Sequence, residues 1–290
     1  MDATPRGAGA TATFRRSPKG PGRLGRCAGE VVLALAALFV CLPFAWMMLT
    51  SVKSPSDIFS GRLWPSRFVW ENYLLAWRAA PFARYFFNTA VVAAATLLLQ
   101  LASSALAAFA FARMRFFGRE ALFYALLATM MVPEEVTLVA NYITLYRLGG
   151  LDTYQALIVP WGASGFSIFL LRQFFAGIPD ELEDAARIDG CSRFGFFRRV
   201  VLPLSRPALL TVALFALVGS WNAFTWPLVV TNSEAMRTVQ IGVSYFAQES
   251  GTNYPLLMAA ATFSVVPVLL LFAALHRHFT EGMARAGLRG

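Results

Sequence analysis

Long apolar blocks alternate with shorter polar stretches along the whole chain, and the apolar blocks set its architecture. Six can be marked, roughly 31–51, 86–111, 121–143, 153–174, 207–230 and 256–275. Each is near or above the ~20 residues that an α-helix needs to cross ~30 Å of hydrocarbon. The two-residue alternation of a membrane β-barrel is absent, and a helix satisfies its own backbone in lipid, so the pattern predicts an all-α membrane protein with six transmembrane helices. Four of the blocks, 31–51, 86–111, 207–230 and 256–275, contain no Asp, Glu, Lys, Arg or His. Pro133 interrupts the third block, where a missing N–H and a steric clash should break or bend the helix.

One polar segment stands out between two apolar blocks: Pro179 to Pro207, PDELEDAARIDGCSRFGFFRRVVLPLSRP. Its order of acidic, small, glycine, aromatic, basic and proline residues predicts two short helices meeting at a turn. Asp180, Glu181, Glu183 and Asp184 crowd the first turns, where negative charge complements the free amides and the helix dipole. Gly190 ends that helix, since a left-handed residue past a terminus is easiest for glycine. Ser192 can cap the second helix, whose Phe196, Phe197, Val200 and Val201 share a face until Pro203 stops it. On the first helix Leu182, Ala185, Ala186 and Asp189 fall on one stripe, small enough for close approach of a partner.

These residues resemble the "EAA loop" of binding-protein-dependent ABC transporter permeases: Glu-Ala-Ala, three residues, Gly, nine residues, then Ile-x-Leu-Pro. Here Asp184, Ala185 and Ala186 are followed by Gly190 and, nine residues on, by Val200, Val201, Leu202 and Pro203. Asp184 stands where the pattern has Glu, and Glu183, one position earlier, is the other candidate for the longer acid. Two further stretches, WNAFTWPLVV from Trp221 to Val230 and HFTEGMARAGLRG from His278 to Gly290, resemble the second-permease branch of carbohydrate importers, maltose-type and glycerol-phosphate-type. The resemblance implies a MetI-like core of six transmembrane helices, an ABC ATPase dimer, a homologous second permease and an extracytoplasmic solute-binding protein. It implies too that the helix from Pro179 to Asp189 couples to the ATPase, with Glu183 or Asp184, Ala185, Ala186, Asp189, Gly190 and Pro203 as its positions, and that the final segment reaches the ATPase dimer. No cofactor is expected on this chain, ATP and Mg belonging to the ATPase.

Composition agrees with the membrane reading: 57% of the 290 residues are hydrophobic and 14% charged, against about 25% charged in soluble domains. With the N-terminus inside, 18 of the 25 basic residues fall on inner segments. That bias places both termini and the Pro179–Pro207 loop in the cytoplasm, and makes the net charge of +9 a topology signal rather than a mark of nucleic-acid binding. Residues 1–29, rich in Gly, Pro, Ala and Arg, read as a disordered cytoplasmic tail, leaving 30–290 as the permease domain with its coupling loop at about 176–206. The outer segment 52–84, with Trp64, Trp70 and Trp77, reads as an interfacial loop or a surface helix.

Motifs for chemistry are missing. Cys27, Cys41 and Cys191 have neither metal nor disulfide spacing, His276 and His278 point to different faces of a helix, and no phosphate-binding loop occurs. An importer of this kind therefore takes its energy from another subunit. The alternative is a secondary transporter or channel driven by an ion gradient, a class that places ionisable groups within its spans. Glu134 and Glu135, beside Pro133, have two readings: part of a solute path or outer gate, or interfacial acids next to a kink. Trp221, Asn222 and Trp226 in the fifth block suit a sugar, whose C–H faces stack on aromatic rings while amides bond its hydroxyls, or else they pack and anchor helices.

Overall fold

A computed structural model describes residues 23–248 and 251–287, with side chains from 29 to 247 and 251 to 273. Residues 1–22 of the expected tail lie outside it, as do the side chains of His276, His278 and the C-terminal segment. Two compact units divide at Trp46 and Met47. The first contributes most of helix α1 (Arg23–Ser51), so 23–29, expected as tail, are helical. Its apolar side chains are exposed, Phe39 by 79%, as suits a helix surrounded by lipid.

The second unit is nearly all helix. After α2 (Pro55–Phe59) and α3 (Glu71–Ala79) comes the 32-residue α4 (Phe82–Arg113). Then follow α5 (Arg119–Thr129), α6 (Glu134–Arg147), α7 (Tyr154–Ile158) with a 3₁₀ turn to Trp161, and α8 (Gly165–Ala176). The coupling segment forms α9 (Asp180–Ile188), α10 (Arg193–Phe196), a π-helical turn (Phe197–Val201) and α11 (Leu202–Leu204). Beyond it run α12 (Arg206–Asn222), α13 (Thr225–Val230), α14 (Val239–Ser244) and α15 (Tyr254–Gly287). A two-residue hairpin, Ala247–Gln248 with Gly251–Thr252, is the one departure from all-α among the described residues.

Three helices are long and apolar enough to cross a membrane, within α1, α4 and α15, and three bent pairs make six if each is one span. The bend expected at Pro133 is present, and two further pairs are bent as well. At Pro133 the third turns by 99° between α5 and α6. The fourth bends by 42° around Gly162, and α11 meets α12 at 79°. The fifth block breaks at Ala223 and Phe224, upstream of Pro227, which sits inside α13 and whose ring would meet the Ala223 carbonyl in an unbroken helix. Pro203 does not stop its helix: the turn widens upstream, the Leu202 N–H donates to Phe197 O five residues back, and the helix runs on to Leu204. A wide turn keeps the proline ring clear of the preceding carbonyls.

Packing centres on α4, which runs against α8 and α12. Its buried residues recur at helical spacing, Phe82, Tyr85, Thr89, Val92, Thr96, Gln100 and Ser104 among them. Alanines 93, 105 and 108, all essentially buried, let neighbours come close. Gly162 works the same way, since a Cβ there would lie 2.5 Å from Leu99 Cδ2. The outer segment 52–84 is folded rather than loose. Asn72 Nδ2 donates to Ser51 O and Lys53 O at 2.8 and 2.9 Å, and the Asp57 carboxylate accepts from Ser66 Oγ, Ser66 N and Ser54 Oγ at 2.8, 3.1 and 2.9 Å. The Ser66 hydroxyl, more than any other partner, holds the Asp57 pKa below the usual carboxylate value.

Candidate functional site

The coupling loop is built as its residues suggest. Three acids open α9, Gly190 takes φ +73° with open space around its Cα, and Ser192 Oγ accepts from Gly195 N at 3.1 Å to cap α10. Apolar residues of the second arm, Phe196, Phe197 and Val201, bury themselves against Phe109 of α4 and Leu171 and Phe175 of α8. Phe109 and Phe197 lie 5.0 Å apart, centroid to centroid. The arm is therefore fastened to two membrane helices by a dry aromatic cluster.

A second fastening was not legible as such in the sequence, where Arg113 counted only toward orientation. Its side chain is 5% exposed. The guanidinium donates to Phe175 O through Nε at 3.0 Å and Nη2 at 2.7 Å, to Ile178 O, and to Asp180 Oδ1 at 2.5 Å. Glu183 Oε2 stands 3.8 Å from it. One residue thus ties the end of α4, the end of α8 and the start of α9, filling the fork geometry that suits arginine and not lysine.

The predicted docking stripe divides. Ala186 packs inward on the cluster beneath the loop, and Glu183 faces Arg113 and bonds Arg187 at 2.6 Å, so both belong to the seat of α9. Asp184, Ala185 and Asp189 face outward. Ile188 is 87% exposed at the tip. Of the two candidate acids, Asp184 is the one on the free face. Helix geometry explains the split, since four positions spaced over two turns span an arc wide enough to straddle the boundary of a half-buried helix.

Above this loop lies a cavity of about 380 Å³, lined by the middle of α4, the breaks before α8 and α13, and the end of α12. Its polar wall comes chiefly from Thr89, Thr96 and Gln100 of α4, together with Ser167 and Thr238. Gln100 Nε2 donates to Ser167 Oγ at 2.8 Å. Of five buried side-chain atoms without a hydrogen-bond partner among the described residues, two, Thr96 Oγ1 and Thr238 Oγ1, are on this wall. The sequence carried a signal for it: a neutral polar stripe at positions 89, 96, 100 and 104 along an otherwise apolar helix.

The candidates named from sequence scatter around this cavity. Glu134 lines it, at the first turn of α6 beyond the bend; Glu135 does not. Trp226 lines it too, but its Nε1 donates to Ala156 O at 2.9 Å and its ring is buried, which makes it a wall brace. Trp221 lies off the lining, donating to Ser264 O at 3.2 Å and leaning on Phe86. Asn222 is also off it, exposed and 3.4 Å from Gln240 Nε2.

The family described as "Binding-protein-dependent transport system inner membrane component" matches residues 100–285, a stretch that includes the coupling loop and most of the cavity wall. The arabinooligosaccharides transport system permease protein AraQ of Bacillus subtilis is 31% identical over 91% of this chain and 96% of its own length. The sn-glycerol-3-phosphate transport system permease protein UgpE of Agrobacterium fabrum is 31% identical over 90% and 96%. In fold, the chain superimposes on a subunit of a bacterial ABC transporter involved in the import of the acidic polysaccharide alginate with a TM-score of 0.78, at 22% identity, over 90% of this chain and 99% of that one. With a loop folded as the EAA pattern requires and a match that spans it, the chain belongs to the inner membrane components of binding-protein-dependent transport systems, and is a multi-pass ABC transporter permease.

Proposed function

We propose that this permease imports a sugar or a glycerol-phosphate-like solute by alternating access, driven by a separate ABC ATPase dimer that docks on the outward face of α9. A homologous second permease completes the membrane core, and an extracytoplasmic binding protein delivers the solute. The observation that carries this reading is the Arg113 clasp. A short helix lying outside the spans is exposed along one face and tied rigidly along the other to the ends of α4 and α8, so displacement of α9 moves two membrane helices. Asp184, Ala185, Ile188 and Asp189 form the docking face, while Gly190 sets the angle between the arms. Relatives that transport arabinooligosaccharides and sn-glycerol 3-phosphate support the solute classes. The loop and both termini are cytoplasmic, in keeping with the basic bias of the sequence.

Co-purification tests this directly. Affinity-tagged chain, extracted in mild detergent from its own membranes, should bring down an ATPase, and Asp184→Arg should lose it while the permease itself inserts at the wild-type level. Retention of the ATPase by Asp184→Arg together with Ala185→Glu would move docking elsewhere. Uptake collapsed by an ionophore at unchanged ATP would favour the gradient-driven alternative.

A further inference from the structure

We propose that the cavity beside α4 is a solute site that accepts an uncharged sugar of one or two rings and excludes phosphorylated or acidic solutes. This rests on the importer reading and settles a choice which that reading leaves open. Three observations converge on it. The first is the pair of hydroxyls on Thr96 and Thr238, which are 3% and 4% exposed, line the cavity and lack any hydrogen-bond partner. Buried polar groups are nearly always satisfied, so two orphans on one wall indicate a ligand that supplies the missing partners. The hydroxyls of a sugar both donate and accept, as a threonine hydroxyl does, and fit such a wall.

The second is the rest of the lining. Trp161 and Phe215 contribute aromatic rings to the lining, of the kind that sugars' C–H surfaces pack against, and Gln100 and Ser167 add further polar atoms. The volume of about 380 Å³ falls at the small end of the ~300–1,000 Å³ typical of ligand sites.

The third is charge. No Lys, Arg or His lines the cavity, and its one ionisable residue is the acid Glu134. Phosphate and carboxylate are ordinarily held by arginine forks, lysines or free helix N-termini. The helix ends here do not substitute for them: Ser164 Oγ already caps α8 by accepting from Ser167 N at 3.3 Å, α13 has only six residues, and the first turn of α6 carries its own acids, Glu134 and Glu135, which repel an anion there. An anion would meet uncompensated burial and the Glu134 carboxylate together.

The test uses a strain deleted for this chain and complemented with wild type, Thr96→Val, Thr238→Val or both. Uptake is measured for radiolabelled glucose, maltose, N-acetylglucosamine, glycerol 3-phosphate and galacturonate. Wild type should restore saturable uptake of one or more of the three neutral sugars and of neither anion. Each valine keeps the shape and removes only a hydroxyl that bonds nothing within the chain. KM should therefore rise about five- to tenfold per substitution, with maximal rate and membrane level unchanged. A structural role would instead lower the membrane level. Uptake of glycerol 3-phosphate or galacturonate that depends on this chain overturns the proposal, as does an unchanged KM in the double variant. If wild type restores uptake of none of the neutral sugars, the proposal is overturned, while the importer reading is decided separately by co-purification of the ATPase.

Discussion

The proposed coupling end and the proposed solute cavity lie along the same helix, α4, yet they are built on opposite principles. At the coupling end, α4 presents Ala105, Ala108 and Phe109 to a dry aromatic cluster and finishes on an arginine whose donors are bonded to backbone and carboxylate. Two turns earlier the same helix turns Thr96 and Gln100 into an open space, with one hydroxyl unpaired. The first region resists deformation, because close-packed interiors transmit displacement rather than absorb it. The second leaves a hydroxyl unpaired, and the helix breaks before α6, α8 and α13 lie along its lining. Under the proposed function, the rigid end takes up force and the unfinished one meets solute.

The comparison breaks most visibly at its rigid end. Arg113→Ala strips hydrogen bonds from Phe175 O, Ile178 O and Asp180, and should cost the loop about 2–4 kcal/mol. ATPase association and uptake should fall by more than tenfold while the chain still inserts, as read by co-purification and membrane level. Ala186→Glu should match it, since it forces a charge against the cluster beside Glu183; a variant that transports normally would refute the inward placement of this residue. Next comes Gly190→Val. Its Cβ meets no atom, so the penalty is conformational, about 1–2 kcal/mol or more for a β-branched residue at positive φ. Proteolysis of the loop should quicken and uptake should drop severalfold. Ala185→Glu sharpens the contrast between the two faces of α9, because an exposed position should leave permease stability within about 0.5 kcal/mol of wild type while weakening ATPase capture.

Around the cavity the expected effects are smaller. Trp221→Phe loses one hydrogen bond to Ser264 O, about 1 kcal/mol, and Asn222→Ala should change neither stability nor KM appreciably. A KM shift in either, without loss of membrane level, would return them to the solute path. The smallest effect is on the outer segment. Because the folded pKa of Asp57 is depressed, its stabilising bonds are fully present above the ordinary carboxylate value of about 3.9 and fade as pH falls below it. Hydrogen exchange of the Ser66 amide should be flat from pH 7 down to about 5 after correction for intrinsic rate, and should speed up only in stronger acid.

Much of this was legible in the chain. Apolar blocks located the spans, and the acids, Gly190 and Ser192 located the loop, because caps and positive φ are local demands that a few side chains announce. The breaks were less legible. Pro133 gave one away, and Pro227 marks another, since its ring would clash with the Ala223 carbonyl in an unbroken helix; what the sequence could not show is that Trp226 is then buried against Ala156. Arg113 and the Thr96 wall were hidden for a related reason. A basic residue after a span reads as topology, and threonine in a span reads as packing, until neighbours distant in sequence give each its partner or withhold it.

The π turn at Phe197–Val201 makes the coupling arm a matter of register. One residue more than an α-turn would hold is accommodated there, and each helical residue turns the chain by about 100°. Deleting a single residue within this stretch would let the arm close into plain α-helix and rotate α9 and α10 by about that angle relative to α12. The side chains of the outward face would survive intact but point elsewhere. The fit between this permease and whatever docks on it is thus set by chain length as much as by side-chain identity, and a gap of one in this segment among relatives should be matched by a compensating change in the docking surface.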